Sequence, residues 1–498
     1  MGSRVGTIMV KVAGLACTSC GATYPVDAEY HPCPKCNGQL LLNLDLSDIS
    51  RRVSRQTFTK RGWSIWRYRE LLPDVKEEKI ISLGEGGTAL LECKRLAKEL
   101  GLEKLLIKDE TTNPTGSFLD RGMTVDISKA VELGFKSVNC YADSGNFAAS
   151  ASAYAARAGF RCVIHSPKER IEAVNVGKLY QIIAYGATVV VGDRTVDNSS
   201  SEMDEEYHVL SPSNPYFAEG EKTIAYEICE QLGWQVPDRI IVPMGRGEHL
   251  SMIWRGISEL RQLGLISNRK ISMMGVQLES FGEIVDKLHG KRTARSYDSK
   301  RTVAVELATK RPSHGYLAID AIRGSRGEGV KVKDTEVLEA MTLLARSEGI
   351  FAEPAAASTI AGLKRLIDRG SVRRDESIVC VITGAGLKDP YTARRFTTKV
   401  KQVDSLLSQI ESKRYSTRLG RTKLLILEII LDKEAYGYEI WRRLEKHGLN
   451  LDISSVYQHL TELEKNGLVV KSRTERVLGK PRRTYYCATK LGRSFNKI

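Results

Sequence analysis

Long apolar runs are absent from the 498 residues of this chain. No stretch reaches the roughly 18 consecutive apolar residues that a membrane-spanning helix needs, so we expect no membrane span. Lys11 interrupts the apolar run that begins at Thr7, which disfavours a secretory signal there. An apolar fraction of 42% and a charged fraction of 27% are ordinary for a soluble protein. The length allows several domains.

A disulfide framework is also missing, since six of the ten cysteines are scattered singly, which is typical of a reducing cytoplasm. The other four form the Cys-x-x-Cys pairs Cys17 with Cys20 and Cys33 with Cys36. Two such pairs suit tetrahedral Zn²⁺, and a closed four-sulfur site serves structure because it leaves no open coordination position. We predict a zinc ribbon over residues 1–45. Disulfides or free thiols are the alternative.

Positive charge is unevenly distributed along the chain. The formal net charge is +15, and residues 412–498 contain 19 lysines and arginines against 9 acidic residues, which is +10 of that total. A basic terminal domain on a nearly balanced body suggests a polyanionic partner.

Between the ribbon and the basic region, short apolar runs alternate with amphipathic stretches such as Phe147 to Ala158 and Thr223 to Leu232. This alternation predicts an α/β fold with an open, mostly parallel sheet and a ligand crevice at the strand ends. The runs predicted to be buried strands are Leu105–Ile107, Ser137–Cys140, Arg161–Ile164, Ala187–Val191, Ile240–Val242 and Ile378–Ile382.

Seven motifs follow one another along this body: Trp66–Pro73, Ile81–Thr88, Asn113–Gly122, Ser144–Asn146, Glu219–Thr223, Glu353–Pro354 and Thr383–Asp389. In kind and in order they resemble the motifs of threonine synthase, a pyridoxal phosphate (PLP) enzyme of fold type II. The resemblance covers roughly residues 17 to 395 and implies a two-lobed body, which we assign to residues 46–398.

Leu119 is the first departure from the family pattern, which places the Schiff-base lysine directly after Phe118. Leucine has no nitrogen and cannot form the imine or shuttle the proton. We therefore expect no covalent PLP and an inactive body, a pseudoenzyme. A sequence variant of a live enzyme, or rescue by another lysine such as Lys108 or Lys222, is the alternative.

Glu248 is the second departure, because the family usually has another glycine at this point of the turn that wraps the cofactor phosphate. A carboxylate directed into that turn would repel phosphate. The alternative is that Glu248 points to solvent and only opens the following helix. By resemblance, the ligand-binding residues are Asn113, Ser117, Ser144, Gly145, Asn146, Gly245, Gly247 and Thr383.

Four segments of the C-terminal region form a second pattern: Leu424–Leu431, Tyr436–Ile440, Ser454–Gly467 and Gly479–Tyr486. Ser454 is predicted to cap a helix that ends at Gly467, with Val456, Leu460 and Leu463 facing inward. These segments resemble the winged helix-turn-helix of PadR-type transcription regulators, in which this helix would be the recognition helix. We assign residues 399–421 to a linker helix and 422–498 to this DNA-binding domain.

Outward positions of that helix and a basic wing are the candidate contacts to double-stranded DNA. Tyr457 has packing as its alternative role. We expect His459 to be simply exposed, with contact to a base as the alternative. The candidate DNA-binding residues are Ser455, Tyr457, Gln458 and Thr461 on the helix and Lys480, Arg482 and Arg483 in the wing.

These patterns predict a cytoplasmic, homodimeric transcription regulator. Its degenerate threonine synthase-like body would sense a small amino acid or phospho-amino acid. One alternative is a PLP-dependent threonine synthase or lyase that uses another lysine or noncovalent PLP. Another is a dimerising scaffold without a ligand.

Overall fold

The computed structural model describes residues 12–26, 32–141, 145–166, 176–191, 207–291, 302–310, 312–395, 420–449, 451–476 and 482–493. The chain separates into two compact units, Met1–Ala393 and Arg394–Ile498. The predicted linker helix at 399–421 falls almost entirely outside the described residues. Within those residues, no helix is long and apolar enough to cross a membrane.

The larger sheet of the first unit has six strands in the order β12-β11-β10-β13-β5-β4. All neighbours are parallel except the edge strand β4, which pairs antiparallel with β5. Its central strands are buried on both faces, as expected for a parallel sheet covered by helices. The strands are β4 Leu90–Glu92, β5 Lys104–Asp109, β10 Arg239–Pro243, β11 Ser272–Leu278, β12 Glu328–Val332 and β13 Ser377–Ile382.

The smaller sheet has four parallel strands in the order β8-β7-β6-β9. Its edge strand β8 is half-buried or exposed along its length, so the prediction of a buried strand at Ala187–Val191 is wrong in this respect. Among the described strands it pairs only with β7, and its two faces are less fully covered than those of β9, the edge strand at the other side of the sheet. The strands are β6 Ser137–Tyr141, β7 Arg161–Ser166, β8 Thr188–Val191 and β9 His208–Leu210.

Helices cover both sheets of the first unit. Asn146–Ala158 begins after β6, and Glu248–Gln262 follows the turn after β10. The helices are Leu46–Ser50, Arg55–Thr59, Lys94–Glu99, Asp120–Leu133, Asn146–Ala158, Val176–Ala184, Pro215–Glu221, Thr223–Gln231, Glu248–Gln262, Glu283–Leu288, Gly315–Gly324, Asp334–Glu348, Pro354–Asp368 and Pro390–Arg395. The fold is therefore the α/β architecture that the alternating pattern predicts, with two sheets rather than one.

An antiparallel three-stranded sheet carries the cysteine pairs at the start of the chain. It consists of β1 Val12–Cys17, β2 Thr23–Tyr24 and β3 Leu40–Leu44 in the order β2-β1-β3. Gln39 Nε2 donates to the carbonyl of Ser213 at 2.9 Å, so this small sheet is attached to the body by hydrogen bonds as well as by its apolar face.

The second unit contains the helices Arg421–Asp432, Gly437–Lys446, Ile453–Lys465 and Lys490–Arg493. Its sheet has the order β14-β16-β15, from β14 Ala435–Tyr436, β15 Val469–Glu475 and β16 Arg483–Ala488. Three helices packed on a β-hairpin form a winged helix, as predicted.

Candidate functional site

A cavity of about 410 Å³ lies where β10 and β13 of the larger sheet end. Thr383 follows β13 and lines the cavity, and so does the turn that follows β10. The first residue of helix Asn146–Ala158, beside the smaller sheet, completes this part of the wall. The cavity is therefore the crevice at the carboxyl ends of parallel strands, where open α/β folds bind ligands.

Leu119 forms part of the apolar wall of this cavity. It precedes helix Asp120–Leu133, is 9% exposed, and belongs to the same buried cluster as Met123, Phe147 and Phe217. Phe118 and Phe147 line the cavity beside it. The position that carries the lysine in the resembling family thus faces the cavity with an aliphatic side chain.

The glycine turn after β10 packs closely against Ala318 and the backbone of Glu306. A Cβ at Gly247, whose φ is +96°, would lie 2.9 Å from the Cβ of Ala318, and a Cβ at Gly245 would lie 3.0 Å from the carbonyl oxygen of Glu306. Both glycines line the cavity. They are required by this close approach and, at Gly247, by the left-handed backbone.

Glu248 begins the helix that follows the turn, and its side chain is buried rather than exposed to solvent. It is 6% exposed and lines the cavity, so the alternative in which it points to solvent is wrong. Oε2 lies 3.5 Å from Nδ1 of His314. Oε1 is buried without a hydrogen-bond partner in the described part of the chain. The helix N-terminus stabilises the negative charge of this carboxylate, which explains how it is retained in a buried position.

A second carboxylate, Glu221, lines the cavity near Glu248. Its Oε2 lies 3.5 Å from Nδ1 of His249, whose ring packs on Phe118 with a centroid separation of 3.9 Å. Burial raises the pKa of Glu221, and the neighbouring His249 and Arg246 act in the opposite direction. Arg246 also lines the cavity.

Lys178 is a buried residue near the cavity that the sequence did not single out. Its ammonium forms an ion pair with Glu306 and lies 3.6 Å from Oε2 of Glu353, and both carboxylates line the cavity. Asn146 Nδ2 donates to both oxygens of Glu353 at 3.0 Å. Burial lowers the pKa of Lys178. No sequence signal marked Lys178, because its proximity to the cavity depends on a helix that packs from the other lobe.

The two lysines considered as substitutes do not line the cavity. Lys108 Nζ is 2.7 Å from Oε2 of Glu227, and Lys222 Nζ is 3.0 Å from Oε2 of Glu259, with all four side chains buried. Each ammonium is therefore already held by a carboxylate away from Leu119.

The predicted ligand-binding residues are only partly brought together. Asn146, Gly245, Gly247 and Thr383 line the cavity. Asn113 does not line it, because its side chain bonds to Glu110 and to the backbone N–H of Gly86.

The other predicted ligand residues stand apart from the cavity wall or cannot be placed. Ser117 is buried outside the lining, where its Oγ accepts from the Leu119 backbone at 3.4 Å. Gly145 is the buried N-cap of its helix, and Ser144 lies outside the described residues.

The four paired cysteines converge on one point. All four sulfurs lie within 4.8 Å of one another, with 3.4 Å between Cys17 and Cys36 and 3.8 Å between Cys20 and Cys33. Thiolates about 2.3 Å from a tetrahedral ion stand at comparable separations. The cluster can hold a metal ion, and its sulfur-only donor set suits zinc.

The candidate recognition helix Ile453–Lys465 buries Val456, Leu460 and Leu463, as predicted. Its N-cap is Asp452 rather than Ser454, so the capping prediction is wrong by two residues, since the helix begins at Ile453. Gly467 follows the helix with φ +67°, as its predicted role requires.

The outward side of this helix carries the predicted DNA contacts. Gln458, Thr461 and Tyr457 are exposed and Ser455 is half-buried. The Tyr457 ring also packs close to Gly437, where a Cβ would lie 2.4 Å from it, so the residue combines packing with 44% exposure. His459 is half-buried, contrary to the expectation that it is simply exposed.

The wing is the hairpin of β15 and β16. Arg482 is exposed, and Arg483 lies over the ring of Tyr436 at 4.7 Å. Lys480 lies outside the described residues. Glu462 on the recognition helix forms an ion pair with Lys423, and Glu464 pairs with Lys471, so two of its acidic side chains are compensated within the domain.

Comparison with known proteins supports two assignments. Residues 81–384 match the family of pyridoxal-phosphate dependent enzymes, and residues 426–497 match the PadR-like family of transcriptional regulators. Threonine synthase of Methanocaldococcus jannaschii is 43% identical over 385 residues, which are 76% of this chain and 94% of that protein. Threonine synthase of Methanosarcina acetivorans is 38% identical over 402 residues, 80% of this chain and 97% of that protein.

Solved structures agree on the fold of the body. Diaminopropionate ammonia lyase from Escherichia coli aligns with a TM-score of 0.53 at 16% identity, over 66% of this chain and 95% of that one. Threonine deaminase isoform 2 from Solanum lycopersicum aligns with a TM-score of 0.52 at 19% identity, over 68% of this chain and 93% of that one. At these identities the likeness concerns the fold alone.

Proposed function

The chain belongs to the pyridoxal-phosphate dependent enzyme family, with a threonine synthase-like body and a PadR-like domain at its C-terminal end, and from this premise we propose that it is a DNA-binding transcription regulator whose body senses a small amino-acid-type metabolite. The observation that carries this proposal is that one chain contains both a winged helix and a cavity in which Leu119 occupies the position of the family's lysine.

The body is proposed to bind its effector without PLP as a covalent cofactor. A Schiff base needs a primary amine, and Leu119 offers none. A phosphate group needs donors, whereas Glu248 places a buried acceptor oxygen at the glycine turn. Leu119 and Glu248 therefore oppose a PLP that is held covalently at the position of the family's lysine. What remains is a cavity with an apolar part at Leu119, Phe118 and Phe147 and polar side chains near the glycine turn, which suits the binding of a small metabolite.

The DNA-binding role depends on the exposed side of helix Ile453–Lys465 and on the wing. Gln458 and Thr461 are exposed and available to base edges, while Arg482 is available to phosphate. A homodimer would place two such helices about 34 to 36 Å apart over an inverted repeat. The cysteine cluster is proposed to hold structural Zn²⁺.

Competition binding tests the proposal. Labelled DNA from upstream of the protein's own gene is titrated with the full-length protein at physiological salt, in excess nonspecific DNA. We expect saturable binding that survives the competitor and weakens in Gln458→Ala and Arg482→Ala. The control is Arg373→Ala, which removes one exposed positive charge from the body.

Effector binding by the body is tested separately from DNA binding. A bound effector should raise thermal stability and change DNA affinity by about 5- to 150-fold. Competitor-sensitive binding that ignores the helix variants would contradict the regulator. DNA binding that is unaffected by every metabolite and by Asn146→Ala or Thr383→Ala would favour a ligand-free scaffold.

A second candidate function is a PLP-dependent enzyme, favoured by the 43% identity to a threonine synthase and by Lys178 beside the cavity. Lys178 differs from Lys108 and Lys222 because its carboxylate partners line the cavity, and burial lowers its pKa, which favours the neutral amine that a nucleophile needs. Addition of PLP should then produce an absorbance band that borohydride removes and that Lys178→Met abolishes. Absence of the band in the wild-type protein would leave the regulator as the better proposal.

A further inference from the structure

The cavity wall is rich in acceptor oxygens that lack a partner. Within the described residues, four buried oxygens of lining side chains have no hydrogen-bond partner. They are Asn146 Oδ1, Glu221 Oε2, Glu248 Oε1 and Glu306 Oε2. A buried acceptor without a partner costs free energy, so a ligand that supplies several donors would be favoured at this wall.

The charges of the lining side chains also favour a ligand that is rich in hydrogen-bond donors. Glu306 and Glu353 share the single positive charge of Lys178, as described above. In the described part of the chain, Glu221 and Glu248 have histidines as their ion-pair partners, each at 3.5 Å, and no lysine or arginine within 4.0 Å. Arg246 acts on Glu221 only from a greater distance. Within the described lining, the positive charge of Arg246 in the glycine turn is set against the two carboxylates Glu221 and Glu248, so this part of the cavity has an excess of negative charge.

We propose that this glycine turn receives a positively charged group, and that the effector is an organic cation such as an amino acid with an ammonium or guanidinium side chain. This inference rests on the sensor role proposed above and names its ligand class. An ammonium has three donors and a guanidinium five, and neither has an acceptor, which matches the four unpartnered oxygens at this wall. The ring of His249 beside them also has two nitrogens without a hydrogen-bond partner in the described part of the chain, which are one acceptor and one donor when the ring is neutral. The apolar stem of such a ligand fits the wall formed by Leu119, Phe118 and Phe147.

A small metal ion is a poorer match for this wall. A metal site needs three or more ligand atoms close together. Among the described residues, the cysteine cluster meets this condition, with its donor atoms within 4.8 Å of one another, whereas the carboxylates of the cavity do not. Oxygens that are spread along a wall suit a ligand with several N–H donors better than a single ion.

Calorimetric titration of the full-length protein tests the charge of the ligand. The probes are L-lysine, L-arginine, L-norleucine and the anionic O-phospho-L-homoserine. Norleucine is a zwitterion with no net charge and an uncharged side chain, so it tests the contribution of the side-chain cation. We expect lysine or arginine to bind, norleucine to bind at least 10-fold more weakly, and the phosphorylated compound to bind weakest. Tighter binding of norleucine or of the phosphorylated compound, or no detectable binding of either cationic amino acid at millimolar concentration, would overturn the proposal.

Variants locate the site. Glu248→Gln should weaken binding of the cationic ligand on the order of 10- to 100-fold, since hydrogen bonds to a charged group are the stronger ones. Glu221→Gln should act in the same direction and serves if the first variant is unstable. Glu103→Gln, an exposed carboxylate outside the cavity, is the matched control and should bind normally. Unchanged affinity in both cavity variants would refute the assignment.

Parallel DNA-binding assays separate this inference from the regulator proposal. Binding of a cationic amino acid that leaves DNA affinity unchanged would keep the ligand class and refute the sensor. A neutral or anionic compound that changes DNA affinity would keep the sensor and refute the ligand class.

Discussion

Restoration of the two positions at which the body departs from its family tests the interpretation of the cavity. We predict that Leu119→Lys alone retains PLP poorly, whereas Leu119→Lys combined with Glu248→Gly retains it well. The lysine supplies the missing amine, but the buried carboxylate of Glu248 still opposes a phosphate at the glycine turn.

The size of the effect follows from the burial of Glu248. At 6% exposure its carboxylate is little screened by water. Two unit negative charges about 4 Å apart repel by about 4 kcal/mol at an effective dielectric constant of about 20, which is close to a thousandfold in affinity. The helix N-terminus offsets part of this repulsion, so we expect the double variant to bind PLP roughly 100-fold or more tightly than the single variant.

Absorbance titration followed by borohydride trapping and dialysis measures retained PLP. The single variant Glu248→Gly is the control, since it removes the carboxylate without supplying an amine. A double-mutant cycle then isolates the coupling between the two positions. If Leu119→Lys alone retains PLP as tightly as the double variant, the reasoning about Glu248 is wrong.

Three further predictions concern the DNA-binding domain, the cysteine cluster and the glycine turn. Arg482→Ala should weaken DNA binding about equally across sequences and reduce the slope of log affinity against log salt by about 1. Gln458→Ala should weaken binding and in addition relax the sequence preference. Anisotropy titrations at several salt concentrations, with specific and nonspecific DNA, measure both effects. Cys20→Ser should lower the bound zinc, measured by mass spectrometry, together with the melting temperature, and an unchanged metal content would contradict the assignment. Gly247→Ala should cost about 1–3 kcal/mol of unfolding free energy because of its φ of +96° and the contact with Ala318, and an unchanged denaturation midpoint would refute this.

Local patterns predicted the elements that depend on local chemistry. The apolar run Ile378–Ile382 lies within β13 Ser377–Ile382, and the inward positions Val456, Leu460 and Leu463 are all buried. Hydrophobic periodicity decides these features, because a strand or an amphipathic helix must bury its apolar face wherever it packs. The capping residue was missed because both Asp452 and Ser454 suit an N-cap, and local sequence does not choose between them.

Strands β11 and β12 were not predicted, although both pair in the larger sheet and β11 is buried throughout. The exposure of β8 was also missed, since an apolar run does not reveal how fully the rest of the fold covers the faces of its strand. These errors concern sheet order and coverage, which depend on contacts between residues that are distant in the chain.

The sequence by itself determined the chemistry that is available: four thiols in two pairs, a basic C-terminal domain, a leucine where the family has its lysine, and a glutamate beside Gly247. Tertiary structure decided where that chemistry is directed. It buried Glu248 at a cavity wall rather than in solvent, and it brought Lys178 to Glu353 from the other lobe. Side-chain direction and long-range proximity depend on how helices and sheets pack, and no local pattern of residues contains that information.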